Sequence, residues 1–355
     1  MARPFFTVLI DTYNHERFIG EAIDSVLAQN FPASEMEILV VDDGSTDGTS
    51  EVVRKFQPRV RLLRKANGGQ ASAFNAGIPE AHGEVVAFLD GDDWWATGKL
   101  AAVAEIFARD SAVGLVGHGT TEIYLDGRRR TEVPREVSRF RLSSTEAAKM
   151  FRTRRGFLGS SRMSCRRSVL HEIGPVPKAL KFEADEYLFT LAGLFADIMI
   201  LNQSLLFYRL HQDNLFQLSE ENTAGLRRKY EVLAALAESL REELKVRGLA
   251  DDIAHIIVEC VRVEADALRL ILDSGFPWET LSTELKVMRI LHSDASIWQH
   301  LFSCARLVPA FVMPAGAYYR WRYRLSGSAF YRNLRKQFLP FPVPGHVDRQ
   351  EKGAL

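Results

Sequence analysis

Residues 85–95 read VVAFLDGDDWW: five apolar residues, three carboxylates within four positions, then two tryptophans. A short apolar run that stops abruptly on acids has the pattern of a strand buried on both faces. Asp90, Asp92 and Asp93 raise one another's pKa unless a positive charge lies among them. Asp90-Gly91-Asp92 at a strand end brings two carboxylates within reach of one hard cation, with Gly91 allowing the bend between them. Mg²⁺ or Mn²⁺ suits such oxygen ligands and keeps coordination places for water and phosphates. The competing reading has Asp92 or Asp93 capping a helix that begins near Ala96, the other acids being solvated.

Working outward, the same pattern recurs upstream. TVLID (7–11), EILVVDD (37–43) and VRLLR (60–64) are further short apolar runs. Helical spacing separates them: Phe18, Ile19, Ala22, Ile23, Val26 and Leu27 after the first run, Val52, Val53 and Phe56 after the second, and GQASAFNAGIPEA before the fourth. Continuous apolar strands alternating with helices predict a largely parallel sheet covered on both faces. Ligands of such sheets bind beyond the carboxyl ends of the strands, where Asp11, Asp42–Asp43 and Asp90–Asp93 converge.

Downstream of about residue 113 the pattern is mixed, with a hairpin at Asp126–Gly127 and a helix over STEAAKMFR. After about 219 strand signals stop. Leu226, Tyr230, Leu233, Leu236, Ala237, Leu240 and Leu244 follow helical spacing, and IAHIIVECVRVEADALRLIL continues it. The division expected is an α/β domain over 1–218, a helical region over 219–340 and an extended or disordered tail over 341–355. The helices over 226–272 serve either as core or as a homodimer contact.

Composition narrows the function classes. The 355 residues carry 45 basic and 45 acidic side chains, and this zero formal charge gives no support for a nucleic-acid partner. Cys165, Cys260 and Cys304 lack metal-cage spacing, which suits a reducing compartment. No segment reaches the ~20 apolar residues of a spanning helix, and MARPFFTVLIDTYN lacks a signal-peptide core. The expectation is a cytoplasmic protein, soluble or peripheral at the inner face of the membrane.

Several residues are candidates for chemistry. A carboxylate at a strand end can accept from a base imide or a ribose hydroxyl, although DDGSTDGT also reads as a turn with a helix cap. NGGQASAFNAGI (67–78) places paired glycines before a helix, where they either let backbone N–H groups approach a ligand or close a tight turn. Glu183, Asp185 and Glu186 precede an apolar helix and are either a general base or first-turn acids complementing the helix dipole. Trp94 and Trp95 are either core or a wall beside a ligand.

In order along the chain, TYN…SVLAQ, ILVVDDGSTDGT, NGGQASAFNAGI and GEVVAFLDGDD closely resemble the family-2 inverting glycosyltransferases of the GT-A fold. The match is strong over 5–95 and continues loosely to about 215. The resemblance implies a GT-A α/β sheet with a helical C-terminal region and a nucleoside diphosphate-sugar donor. It implies a sugar, lipid-linked or other hydroxyl acceptor, an Mn²⁺ or Mg²⁺ ion, and a place in polysaccharide or glycoconjugate synthesis. Carried over residue by residue, it puts the nucleotide on Thr12, Tyr13, Asp43 and Asn67, and the ribose and metal on Asp90 and Asp92, with Asp93 as a substitute. Asp185 aligns with the base of the family's acidic motif, Ala184 interrupting the usual acidic pair and Glu183 and Glu186 remaining alternatives. YRLHQDN (208–214) resembles a late motif in which Arg209 offsets phosphate charge and His211 completes the metal's shell. Asp11 departs from the proline usual in the family.

Finally, YYRWRYRLSGSAFYRNLRKQ (318–337) carries six basic residues, interleaved aromatics and no acid. It suits an anionic membrane surface or a packed basic helix. Two other functions compete with transfer. A non-catalytic scaffold would lack the base, yet acids stand at 183–186. A nucleotidyltransferase would carry a glycine- and lysine-rich triphosphate loop, which DTYNHERF is not.

Overall fold

The computed structural model describes residues 4–154, 158–211, 223–273, 275–291, 304–305 and 307–326. They fall into two compact units, Met1–Ala147 with Leu158–Gln217, and Ala148–Phe157 with Leu218–Leu355.

The first unit is built on one mixed sheet. Strands β1 (Phe6–Thr12), β2 (Met36–Asp42), β3 (Arg61–Arg64) and β4 (Val85–Asp90) are the four apolar runs, paired in parallel in the order β3-β2-β1-β4. Between them lie α1 (Ile19–Leu27), α2 (Thr49–Arg54) and α3 (Gln70–Gly77). Val8, Leu9, Ile10, Val40, Val41, Val86, Ala87 and Phe88 are fully buried although consecutive side chains point to opposite faces, so both faces are covered. On α1 the buried residues are Ile19, Ala22, Ile23 and Val26, one apolar stripe against the sheet.

Beyond β4 the chain departs from a simple alternation. Trp94–Trp95 forms a two-residue strand, β5, ahead of α4 (Lys99–Arg109) and the long β6 (Val113–Ile123). A hairpin leads to β7 (Arg129–Glu132), with β8 (Ser138–Phe140) and α5 (Thr145–Arg154) following. The strand β9 (Met163–Arg166) then inserts antiparallel between β4 and β6, and α6 (Arg167–Ile173) and α7 (Ala184–Phe195) lead into β10 (Asp197–Arg209). The last strand runs parallel to β6 and antiparallel to β5, bringing the chain back beside the end of β4. Parallel pairing accounts for the longest ladders, β6 with β10 and β1 with β2.

In the second unit α8 (Thr223–Val246), α9 (Asp251–Leu272), α10 (Pro277–Leu291) and α11 (Ala315–Ser326) are described. Leu226, Leu233, Leu236, Ala237, Leu240 and Leu244 of α8 are buried, as their helical spacing requires. Tyr318 and Tyr319 pack with Leu270, Ala310 and Ala315, and Arg322 pairs with the buried Glu284. The start of the basic stretch 318–337 is therefore packed inside this unit. Residues 327–337 and the tail 341–355 lie outside the described residues. Among the described residues no helix is long and apolar enough to cross a membrane.

Candidate active site

Three neighbouring strands end together. Asp11 on β1 lies opposite Asp90 on β4, and Thr12 lies opposite Asp42 on β2. The backbone continues this register past the strands: Asp43 N donates to Thr12 O and Gly91 N to Asp11 O, each at 2.9 Å.

Two loops interlock around this edge. Asn14, at φ 57° in the left-handed region, accepts Thr46 N at 2.8 Å, and its own amide donates to Ser45 Oγ at 2.9 Å. His15 N donates to Thr49 Oγ1 (2.8 Å), Glu16 N to Asp47 Oδ2 (3.1 Å) and Gly48 N to Glu16 Oε2 (2.7 Å). The polar run after Asp43 is thus a clasp for the loop after β1. Asp42 is fully buried and accepts Ser45 N (2.7 Å) and the Ser50 hydroxyl. Asp43 accepts Lys65 Nζ at 2.6 Å, Gly68 N at 3.0 Å and Gly69 N at 2.7 Å. The paired glycines therefore turn their amides onto Asp43, and Gly69 (φ +83°) has the Lys181 carbonyl where a Cβ would stand. Of the expected nucleotide group, Thr12 is buried at this edge while Tyr13 and Asn67 are exposed beside it.

Ligand atoms of Asp90, Asp92 and Asp93 lie within 4.8 Å of one another. Burial, then the Asp92 charge, pushes Asp90 up to about 6, and burial with the Asp92 and Asp90 charges raises Asp93 well above the carboxylate range. Asp92 is the exception. Burial opposes its charge, but the His211 hydrogen bond and the charges of His15 and His211 hold it below its ordinary value. His211 Nε2 is 2.9 Å from Asp92 Oδ2 and His15 Nε2 is 3.8 Å from the same oxygen. Asp93 caps no helix: it accepts the Ser161 hydroxyl (2.8 Å) and Arg209 N (3.1 Å), and α4 starts at Lys99 rather than near Ala96. Asp11 faces Asp90 across the β1–β4 ladder, is raised by burial and then by the Asp90 charge, and has a buried Oδ1 with no hydrogen-bond partner.

Gly91 has a different role from the bend expected of it. Its φ lies outside the left-handed region, but a Cβ there would stand 2.5 Å from Thr12 Oγ1 and 2.9 Å from His15 Nδ1. The position is glycine because two neighbours fill the space.

Arg209 lies 4.4 Å from the ring centroid of Trp94 and 4.9 Å from that of Phe18. Its Nε donates to Asp92 O at 3.0 Å, and its other end meets Glu21. Trp94 also stacks on Phe207, whereas Trp95 is buried and its indole N–H donates to Ser161 O at 3.0 Å. Beneath them Lys99 is fully buried, with Nζ 3.1 Å from Ser161 O; desolvation lowers its pKa well below the usual amine value.

Asp185 is buried in the first turn of α7, accepting Ser160 N (3.0 Å) on Oδ2 and Glu186 N (2.8 Å) on Oδ1. Burial, then the charges of Glu183 and Asp90, raise its pKa well above the carboxylate range, so the Asp90 charge reaches this carboxyl. Glu183 holds φ 65°, the left-handed strain that collects at functional sites. No sequence signal marks His15, within TYNHERF, or Ser160, Ser161, Lys99 and Gln70; their roles emerge only from the packing.

Residues 7–174 match the family model described as Glycosyl transferase family 2. Over 215 residues the chain is 36% identical to an uncharacterized glycosyltransferase, alr2836, of Nostoc, the match covering 59% of this chain and 65% of that one. Over 93 residues it is 40% identical to the poly(ribitol-phosphate) β-N-acetylglucosaminyltransferase TarS of Staphylococcus aureus, covering 25% and 16%. The chain thus spans less than two thirds of the length of these relatives. Among solved structures, S. aureus TarS 1–349 superposes with a TM-score of 0.58 at 21% identity, covering 89% of this chain and 91% of that one. The mannosyltransferase PcManGT of Pyrobaculum calidifontis, solved with GDP-Man and Mn²⁺, gives 0.56 at 20% identity, covering 95% and 84%. These likenesses bear out the GT-A-like mixed sheet with C-terminal helices.

Proposed function

We propose that the chain is a family-2 glycosyltransferase, a reading supported by its match to that family's model over residues 7–174 and by the Nostoc relative, and that it moves a sugar from a nucleoside diphosphate to an acceptor hydroxyl with inversion. The observation that carries this reading is the cluster of Asp90, Asp92 and Asp93 at the end of β4, within electrostatic reach of Asp185. S. aureus TarS was solved in complex with UDP-GlcNAc and PcManGT in complex with GDP-Man, which favours donors of that class here.

The donor set fits a hard divalent ion. It is rich in carboxylate oxygens, and the raised Asp90 and Asp93 show what it costs to keep those acids charged without a cation. Asp90, Asp92 and His211 would hold Mn²⁺ or Mg²⁺, which when bound offsets the charge growing on the departing diphosphate. Thr12, Tyr13, Asp43 and Asn67 line the nucleotide end. Three donors already hold Asp43, so it both braces the loop 65–69 and keeps a remaining lone pair for a base or ribose. Arg209, fixed between Trp94 and Phe18, closes the phosphate side. Asp185 takes the proton of the acceptor hydroxyl as that oxygen bonds to the anomeric carbon and the bond from that carbon to the diphosphate oxygen breaks. Burial and the charges of Glu183 and Asp90 raise its pKa, the direction that makes a carboxylate a stronger base.

In the second unit Phe276, Trp278, Phe311 and Val312 are exposed. With the basic residues of 318–337 they favour a peripheral contact with anionic membrane, as a lipid-linked acceptor would require.

The test is release of nucleoside diphosphate from a panel of nucleotide sugars that includes UDP-GlcNAc and GDP-mannose, with Mn²⁺, Mg²⁺ or EDTA. Metal-dependent turnover of at least one sugar, abolished by Asp92→Asn, is expected. Turnover that EDTA and Asp92→Asn leave unchanged contradicts the metal assignment, and no turnover of any sugar contradicts transfer.

A further inference from the structure

We propose that Ser160 is a positioning residue that fixes the spacing between the metal-binding carboxylates and the general base, and that Gln70 braces the segment that carries the base. The inference rests on the roles given above to Asp90 and Asp185.

Ser160 opens the short 3-10 turn Ser160–Arg162 ahead of β9, and it is 1% exposed. Its hydroxyl donates to Asp90 Oδ1, and its amide donates to Asp185 Oδ2 at 3.0 Å. One buried residue therefore grips both carboxylates, which come from elements far apart in the chain. Both contacts end on carboxyl oxygens and become the stronger, charge-assisted kind when those acids are ionised, as a metal ligand and a general base must be. The hydroxyl fixes one oxygen of Asp90, as groups behind metal ligands commonly do.

The turn itself is held from several directions. Ser161 Oγ accepts Asp90 N at 3.0 Å and donates to Asp93 Oδ2 at 2.8 Å. Its carbonyl accepts Trp95 Nε1 at 3.0 Å and Lys99 Nζ at 3.1 Å. Gln70 closes the other side. Its Nε2 donates to Ser160 Oγ at 3.4 Å, its Oε1 accepts Ala184 N at 3.0 Å, and its own amide donates to Lys181 O at 2.8 Å. Gln70 follows Gly68 and Gly69, whose amides hold Asp43. Hydrogen bonds thus run unbroken from the loop that braces Asp43, through Gln70 and Ser160, to Asp90 and to the turn carrying Asp185. A single in-line displacement needs the base and the leaving diphosphate at a fixed separation, and about 1 Å of error can cost roughly 100-fold in rate.

Two variants separate the two grips: Ser160→Ala removes the hydroxyl from Asp90, and Gln70→Ala loosens the segment before Asp185 while leaving that hydroxyl in place. The readouts are the Kd for Mn²⁺ alone, by electron paramagnetic resonance of the free ion, and kcat and KM for the most active nucleotide sugar of the panel. Ser160→Ala is expected to raise the Mn²⁺ Kd about tenfold and Ser160→Thr to restore it. Gln70→Ala is expected to leave Mn²⁺ Kd and donor KM within about threefold while kcat falls about tenfold or more. A purely structural role would lower the melting temperature and move these constants together. Wild-type Mn²⁺ Kd and kcat in Ser160→Ala, with Mn²⁺ binding lost in Asp92→Asn, overturn the inference. If Asp92→Asn binds Mn²⁺ as the wild type does, the metal reading has failed, and the inference falls with it. Should Ser160→Ala not fold, Gln70→Ala decides, since an unchanged kcat there overturns the proposal.

Discussion

Replacing Gly91 by alanine tests how the acid cluster is built, because a second glycine nearby provides a matched control. A Cβ at Gly91 would lie 2.5 Å from Thr12 Oγ1, 2.8 Å from Thr12 Cβ and 2.9 Å from His15 Nδ1. Comfortable contact between such atoms begins near 3.5 Å, so one neighbour must move by several tenths of an ångström or more. Thr12 is 3% exposed and has nowhere to go, which leaves His15 or the Asp90–Asp93 backbone to shift. Overpacking of this kind costs about 1–3 kcal/mol. For a unit of this size that is a fall in melting temperature of roughly 2–10 °C. His15 sits 3.8 Å from Asp92, so its displacement should also weaken Mn²⁺ binding. At Gly98 nothing lies within 4 Å of an added Cβ, and φ −91°, ψ 3° is open to any residue. Gly98→Ala should therefore stay within about 0.5 kcal/mol of wild type. Thermal unfolding of both variants by circular dichroism, with a Mn²⁺ titration of each, is the assay. Equal melting temperatures for the two variants, or a Gly91→Ala protein that binds Mn²⁺ normally, refute the steric account.

Asp185→Asn keeps the size of the base but not its basicity, so transfer should fall by at least about 100-fold with the donor KM little changed. Near-normal transfer, with Glu183→Gln or Glu186→Gln inactive, moves the base to that residue. An acid with a raised folded pKa stabilises the fold while protonated, and that contribution is lost as pH rises through the folded value. For Asp90, moved from 3.8 to about 6, the loss spans that window and amounts to about 1–3 kcal/mol. Metal-free Asp90→Asn should thus melt above the wild type at pH 7.5, the gap closing by pH 4; a constant gap in urea or heat denaturation contradicts the shift. Arg332→Glu with Arg335→Glu and Lys336→Glu should abolish flotation with anionic liposomes, and unchanged flotation excludes that stretch as the contact. Charge is reversed rather than the chain shortened because Tyr318 is fully buried.

The sequence made the parallel core legible because β1, β2 and β4 are continuous apolar runs, β-branched and too short for buried helices, set between helical patterns. It likewise displayed the acids, which must stand at strand ends to leave the core. The reason for Gly91 was hidden, since it depends on Thr12 and His15 arriving from a neighbouring strand. Ser160 was hidden for a similar cause: β9 pairs with β4 across nearly eighty residues of chain, and GSSRM looks like an ordinary loop. In sequence Asp93 reads either as a substitute in the metal motif or, like Asp92, as a helix cap; in the fold Ser161 and Arg209 N occupy its two oxygens and it caps no helix. The two tryptophans, ambiguous in sequence, divide their work. Trp95 braces the turn of Ser161, and Trp94 stacks between Phe207 and Arg209. The Pro-free, glycine-rich run after Asp43 proved to be chiefly a clasp, because Asn14, His15 and Glu16 satisfy it.

The central claim is that Asp90 and Asp92 hold a divalent ion at the end of β4. Titration of the full chain with Mn²⁺, followed by electron paramagnetic resonance, tests it most directly. One saturable site is expected, weakened at least about tenfold by Asp92→Asn. Equal Mn²⁺ binding by the wild type and the variant, or none by either, would contradict it.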